Sequence, residues 1–146
     1  MVSAVITQRP DLCTAVLCSV PLTDMIRYHL FGLANIWSDE YGSSENPDQI
    51  GYLSAYSPYH NADFADYPAM LFVGAENDSR TDPMHARKMF AAIEYADHDH
   101  GTKQPVFLLQ SPDTGHGGGV GIEMQLEQLS QQQAFLFEQV GLFAGD

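Results

Sequence analysis

Basic side chains are scarce in this sequence. Six Lys and Arg stand against nineteen Asp and Glu, a formal net charge of −13. A polyanion would be repelled over most of such a surface, so nucleic acid and anionic membranes are excluded as natural partners. Long apolar runs are missing too: none approaches the ~20 residues of a membrane-spanning helix. The start, MVSAVITQRPDL, has no basic stretch followed by an apolar one. It therefore does not read as a secretory leader, which favours a cytoplasmic setting. Cysteine is limited to Cys13 and Cys18. In an extended stretch these stand ~16 Å apart and cannot bridge each other, so two buried free thiols are expected. Internal repeats and low-complexity tracts are also absent.

What remains suits one compact unit spanning residues 1–146, with 45% hydrophobic and 17% charged residues to build a core. Three short apolar runs read as strands: CTAVLCSVP at 13–21, AMLFVGA at 69–75 and VFLLQ at 106–110. They are nearly continuous rather than alternating, as in strands covered on both faces. Pro83, with Asp82 as its cap, opens a helix expected to run to about residue 96. A second helix is expected over 122–143, with Ile122, Leu126, Leu129, Phe135, Leu136 and Val140 turned to the sheet. The order is strand, long insert, strand, helix, strand, helix, which predicts a parallel, doubly wound α/β sheet. The insert, 22–68, holds Trp37, several tyrosines and two expected short helices near 24–31 and 47–54. Long aromatic connections on a rigid sheet are common binding surfaces.

Reactive side chains fall where such a sheet binds ligands, beyond the carboxyl ends of its strands. ENDSRTDP, after the second strand, contains Asp78. SPDTGHGGG, after the third, contains His116. A carboxylate after one strand and a histidine after the next form the second half of a Ser…Asp…His arrangement. The carboxylate accepts from one ring nitrogen and fixes the tautomer, leaving the other nitrogen to take a proton. The glycines around His116 are expected to fold its loop tightly and keep the imidazole accessible. Other histidines invite less. Asp97-His98-Asp99-His100 reads as a solvated turn rather than a metal site, having no spaced partners. His29 and His60 are expected to order the insert by hydrogen bonding, and His85 to be a surface or cap residue. Tyr28, Tyr52, Tyr56 and Tyr59 read as packing aromatics.

Five motifs, QRPDL (8–12), WSDEYG (37–42), YSPYHN (56–61), YPAMLFVGAENDSRTDPMHARKM (67–89) and GHGGG (115–119), occur in order along the chain. Together they resemble the peptidase domain of the prolyl oligopeptidase family. The resemblance implies the C-terminal part of an α/β-hydrolase fold and a serine peptidase cleaving after proline, with no cofactor and no metal. It puts Asp78 and His116 on the triad aspartate and histidine, and Arg80 on an arginine that binds a substrate carbonyl. Trp37 and Tyr41 fall on aromatics that line the pocket for the substrate proline. Ser79, Thr81 and Asp82 depart from the family pattern. A larger departure is that no G-x-S-x-G occurs among the 146 residues. In the family that elbow lies about a dozen residues before the QRPDL match, ahead of Met1. VSAVITQRPDL (2–12) then looks like the tail of the helix that follows it. The expectation is a chain with two triad members and no nucleophile, inactive alone. Its open sheet edge should favour self-association or an N-terminal partner. The alternative is a non-catalytic remnant that associates with itself or binds proline peptides.

Overall fold

AMLFVGA forms the middle of the sheet. In a computed structural model, which describes all residues except 64, 98–103, 118–120 and 143–146, the strands are β1 (Ala15–Ser19), β2 (Ala69–Ala75) and β3 (Val106–Ser111). β2 is buried at every residue and pairs in parallel on both sides, Cys18 opposite Phe72 and Phe72 opposite Leu108. A strand with neighbours on both edges and helices on both faces has no exposed side, hence its unbroken apolar run. The helices are α1 (Val2–Gln8), α2 (Ser38–Tyr41), α3 (Ile50–Tyr56), α4 (Met84–Asp97) and α5 (Ile122–Gln139). None of those described is long and apolar enough to cross a membrane.

α1 and α4 cover one face, where Ile6, Val16, Cys18, Met70, Phe72, Met89 and Ile93 form a buried cluster. α5 covers the other, where Phe135 packs on Leu71 and Val73, with Leu136 beside them. The Asp82 carboxylate accepts the Met84 N–H (2.9 Å), so the expected cap is present.

Several expectations are corrected. α5 does not lay its whole apolar stripe on the sheet: Ile122, Leu126, Leu129 and Val140 are exposed and only Phe135 is buried. The reason is size. Eighteen helical residues span ~27 Å, whereas three strands of at most seven residues offer a patch ~10 Å by ~23 Å. β1 is also shorter than the run 13–21. Val20 turns out of it with φ +40°, still donating its N–H to the Val73 carbonyl (2.8 Å), and Pro21 has no N–H to continue the ladder. Cys13, ahead of the strand, is exposed, and only Cys18 is a buried thiol. Within the insert, the helix expected near 24–31 is one 3-10 turn at Tyr28–Leu30, while α3 forms slightly beyond 47–54.

His85 is corrected as well: it is fully buried rather than at the surface. Its Nδ1 accepts the N–H groups of Thr23 (3.3 Å) and Asp24 (3.2 Å), and its carbonyl accepts the Thr23 hydroxyl (2.8 Å). Burial pushes the imidazole down to about 4, so it is neutral. Beside it, the buried Asp24 carboxylate accepts from Lys88 Nζ (2.6 Å) and Arg27 Nε (2.8 Å), with the Lys88 ammonium 4.0 Å from the Tyr59 ring centre. Burial raises the Asp24 carboxyl, but the two cations outweigh it and hold the group below its ordinary value. The insert is thereby tied to α4. His60 contributes as expected, bonding Ser57 Oγ through Nδ1 (2.8 Å). His29 makes no such hydrogen bond: its Nδ1 is buried with no partner among the described residues, its Nε2 lies 3.8 Å from a Glu45 carboxylate oxygen, and the ring packs edge-on to Tyr28.

Candidate active site

Two loops meet at the carboxyl ends of β2 and β3. They are stitched backbone to backbone, Glu76 N–H to the Ser111 carbonyl (3.1 Å) and Asn77 N–H to the Thr114 carbonyl (3.0 Å). The Thr114 hydroxyl, buried, closes the second loop onto the Ser111 carbonyl (3.0 Å). This juxtaposition sets His116 against Asp78, with Nδ1 2.8 Å from Oδ2.

The Asp78 side chain is 1% exposed and that of His116 is 31% exposed, so the carboxylate is enclosed while the imidazole reaches solvent. Oδ1 accepts the N–H groups of Arg80 and Thr81, each at 2.9 Å. Oδ2 accepts the Thr81 hydroxyl (2.9 Å) in addition to His116. Burial pushes the Asp78 carboxyl up, but these four donors outweigh it and hold it below the usual carboxylate range. An ionised carboxylate can only accept. Neutral His116 therefore carries its proton on Nδ1, and Nε2, across the ring, is the basic nitrogen.

A cavity of about 260 Å³ opens beside His116, lined by Ser19 and Val20 beyond β1, Val73 to Ala75 on β2, Ser111 on β3, and Gln128 and Gln132 of α5. It lies where an open parallel sheet is expected to bind ligands. Val20, a β-branched residue at φ +40°, is an outlier on the wall of this cavity.

The sequence-derived candidates are therefore distributed over two places. Asp78 and His116 are joined. Arg80 lies exposed on the Asp78 loop. Trp37 and Tyr41 pack, partly buried, on the insert's own cluster of Met25, Tyr28, Ala34 and Leu53, with the Tyr28 and Tyr41 rings edge to face at 6.0 Å. None of these three lines the His116 cavity. The glycine expectation is met at Gly115 and Gly117. The Gly117 N–H donates to the Gly115 carbonyl (2.9 Å), closing a tight turn with His116 at its centre. A Cβ at Gly117 would meet nothing, and one at Gly115 only the Asn77 carbonyl at 3.8 Å. Residues 118–120 and His98, Asp99 and His100 lie outside the described residues. Among those described, no group of three His, Cys, Asp or Glu side chains could hold a metal.

Sequence reasoning missed Ser19 and Val20, which carry no motif of their own. It noted Thr81 only as a departure; a hydroxyl three residues beyond a loop aspartate, poised to fold back on it, was the available signal.

Parallel strands with a carboxylate after one and a bonded histidine after the next make this an α/β-hydrolase catalytic fold. The chain belongs to the prolyl oligopeptidase family, whose model matches residues 1–142. It is 33% identical to a prolyl endopeptidase of Dictyostelium discoideum over 134 residues, 89% of this chain and 17% of that protein. A solved prolyl endopeptidase structure superposes with a TM-score of 0.88 at 43% identity, covering 94% of this chain and 20% of the other. Prolyl oligopeptidase B from Galerina marginata, solved with a 35mer hydrolysis and macrocyclization substrate, has a TM-score of 0.82 at 24% identity, covering 96% of this chain and 20% of that one. The chain thus spans about a fifth of the length of these relatives. The family is one of serine peptidases.

Proposed function

We propose that this chain supplies the base and its orienting carboxylate for a serine peptidase that cleaves after proline. The observation that carries the reading is the 2.8 Å contact between His116 Nδ1 and buried Asp78. Asp78 holds the tautomer and stabilises the imidazolium that forms. Nε2 takes the proton of a serine hydroxyl as its oxygen attacks the scissile carbonyl, then returns that proton to the leaving amine. The serine comes from a polypeptide segment outside the 146 residues, since no G-x-S-x-G occurs within them. Arg80 binds a substrate carbonyl, and the rings of Trp37 and Tyr41 receive the proline, a flat ring suited to an indole face. No cofactor or metal takes part. The 146-residue chain alone has the base without the family's nucleophile elbow and the oxyanion donor that follows its serine, so it hydrolyses nothing. A fluorophosphonate probe tests this: the isolated chain should stay unlabelled, and labelling that depends on one of its serines overturns the reading.

A second reading, an associating module without chemistry, is favoured by one feature. Ile122, Leu126 and Leu129 on α5 and the outer edge of β1 have no protein covering among the described residues. Either a second copy or an N-terminal polypeptide would cover them. Light scattering at rising concentration tests self-association; a monomer throughout leaves the N-terminal polypeptide as the occupant.

A further inference from the structure

The peptide unit joining Ser79 to Arg80 is hydrogen-bonded at both ends. Its carbonyl accepts the Leu33 N–H at 2.8 Å, and its N–H donates to Asp78 Oδ1 at 2.9 Å. The other oxygen of that carboxylate holds His116 Nδ1 at 2.8 Å. A continuous chain therefore runs from the insert to the imidazole, and one link in it is a rigid planar group. Gly32 permits the approach. Its φ is +54°, and a Cβ there would lie 2.5 Å from the Ser79 carbonyl oxygen and 3.2 Å from its carbon. Both the torsion and the contact call for glycine, and the contact is with backbone, which cannot swing aside as a side chain can.

We propose that Gly32 and Leu33 are positioning residues for the Asp78–His116 pair. The seat of the insert sets the tilt of the 79–80 peptide plane, and that plane aims the carboxylate at the imidazole. The Leu33 N–H also polarises the peptide unit and strengthens the Arg80 N–H as a donor to Asp78. The insert that carries Trp37 and Tyr41 is in this way mechanically connected to the base. A shift of the insert is felt at His116 without any ligand touching the histidine. The proposal rests on the reading of His116 as a base held by Asp78.

The test uses the whole 146-residue chain labelled with ¹⁵N-histidine and reads by NMR which ring nitrogen of His116 carries the proton. The native chain should show the Nδ1–H form. Gly32→Ala should lose that preference and give mixed tautomers, while the His85 signals and β2 amides stay in place. Gly32→Asn, which tolerates a positive φ but keeps a Cβ, should do the same, identifying the contact as the cause. Gly51→Ala, where a Cβ would meet nothing, should leave His116 unchanged. If Gly32→Ala fails to fold, Leu33→Pro carries the test, since the Leu33 side chain is exposed and the substitution removes the N–H donor. Native Nδ1–H signals that survive in the folded Gly32 and Leu33 variants overturn this proposal and leave the base reading standing. A native His116 with no Nδ1–H preference overturns both.

Discussion

Lys88 reaches Asp24 across 64 residues of sequence, Nζ to Oδ2 at 2.6 Å, and the carboxylate it meets has no solvent exposure. Removing one partner of a buried ion pair leaves an uncompensated charge, which costs more than the pair contributes. Arg27 still holds Asp24, so the cost is moderated. Lys88→Met should lower the stability measured in urea by about 2 kcal/mol. Adding Asp24→Asn to it should recover part of that loss, because the orphaned charge is gone.

His85 should give the protein a sloped stability between pH 6.5 and 4. In the unfolded chain its imidazole titrates near ~6.5; in the fold, burial pushes it down to about 4. Across that window the unfolded chain binds a proton that the folded chain refuses, so stability falls as pH falls. The loss is about 3 kcal/mol in all, with nothing lost above the window. Asp78 and Asp24, both held low, act in a lower range. Their contribution is present above the ordinary carboxylate value and disappears as pH drops through the depressed one. Urea titrations at stepped pH will show the His85 segment. His85→Asn, which keeps an acceptor for Thr23 and Asp24 but cannot titrate, should flatten it.

Asp78→Asn should disable the base without dismantling the loop. The amide can offer a donor to Nδ1, which favours the wrong tautomer. In a complete enzyme containing this segment, kcat on a proline-containing peptide should fall on the order of 10⁴-fold, with the thermal midpoint little changed. The side chain to control for is Ser19, which shares the cavity of His116. Ser19→Ala should leave that kcat unaltered.

Gly42 and Gly51 should respond oppositely to alanine. Gly42 has φ +90°, and a Cβ there would collide with the Tyr52 hydroxyl. Gly51 lies inside α3 with open space at its Cβ position. Gly51→Ala should raise stability by about 0.5–1 kcal/mol through helix propensity and a less free unfolded chain. Gly42→Ala should lower it by more than that. Paired thermal melts decide the comparison.

Much of the fold was legible because β2 is an apolar run with nowhere to be but inside, and because Asp82-Pro83 punctuates the start of α4. The Asp78–His116 pair was legible from its register, one loop after each of two adjacent strands. His85 was not. Its position on the first turn of a helix says surface, and only the long-range return of Thr23 and Asp24 puts it in the core. The exposure of α5 was hidden for a related reason. Periodicity reports which side of a helix is apolar and not how much sheet is there to meet it. Val20 at positive φ had no signal, since valine is among the residues least suited to that conformation.

β2, buried along its whole length, delivers Asp78, whereas His116 follows β3, which is half-exposed. The two halves of the pair are thus anchored to parts of the molecule with different opening free energies. Amides of β2 should exchange with solvent only when the whole chain unfolds, and those of residues 113–117 well before. Failure of the pair on warming should then begin from the histidine side, with the carboxylate still in place, ahead of any loss of secondary structure.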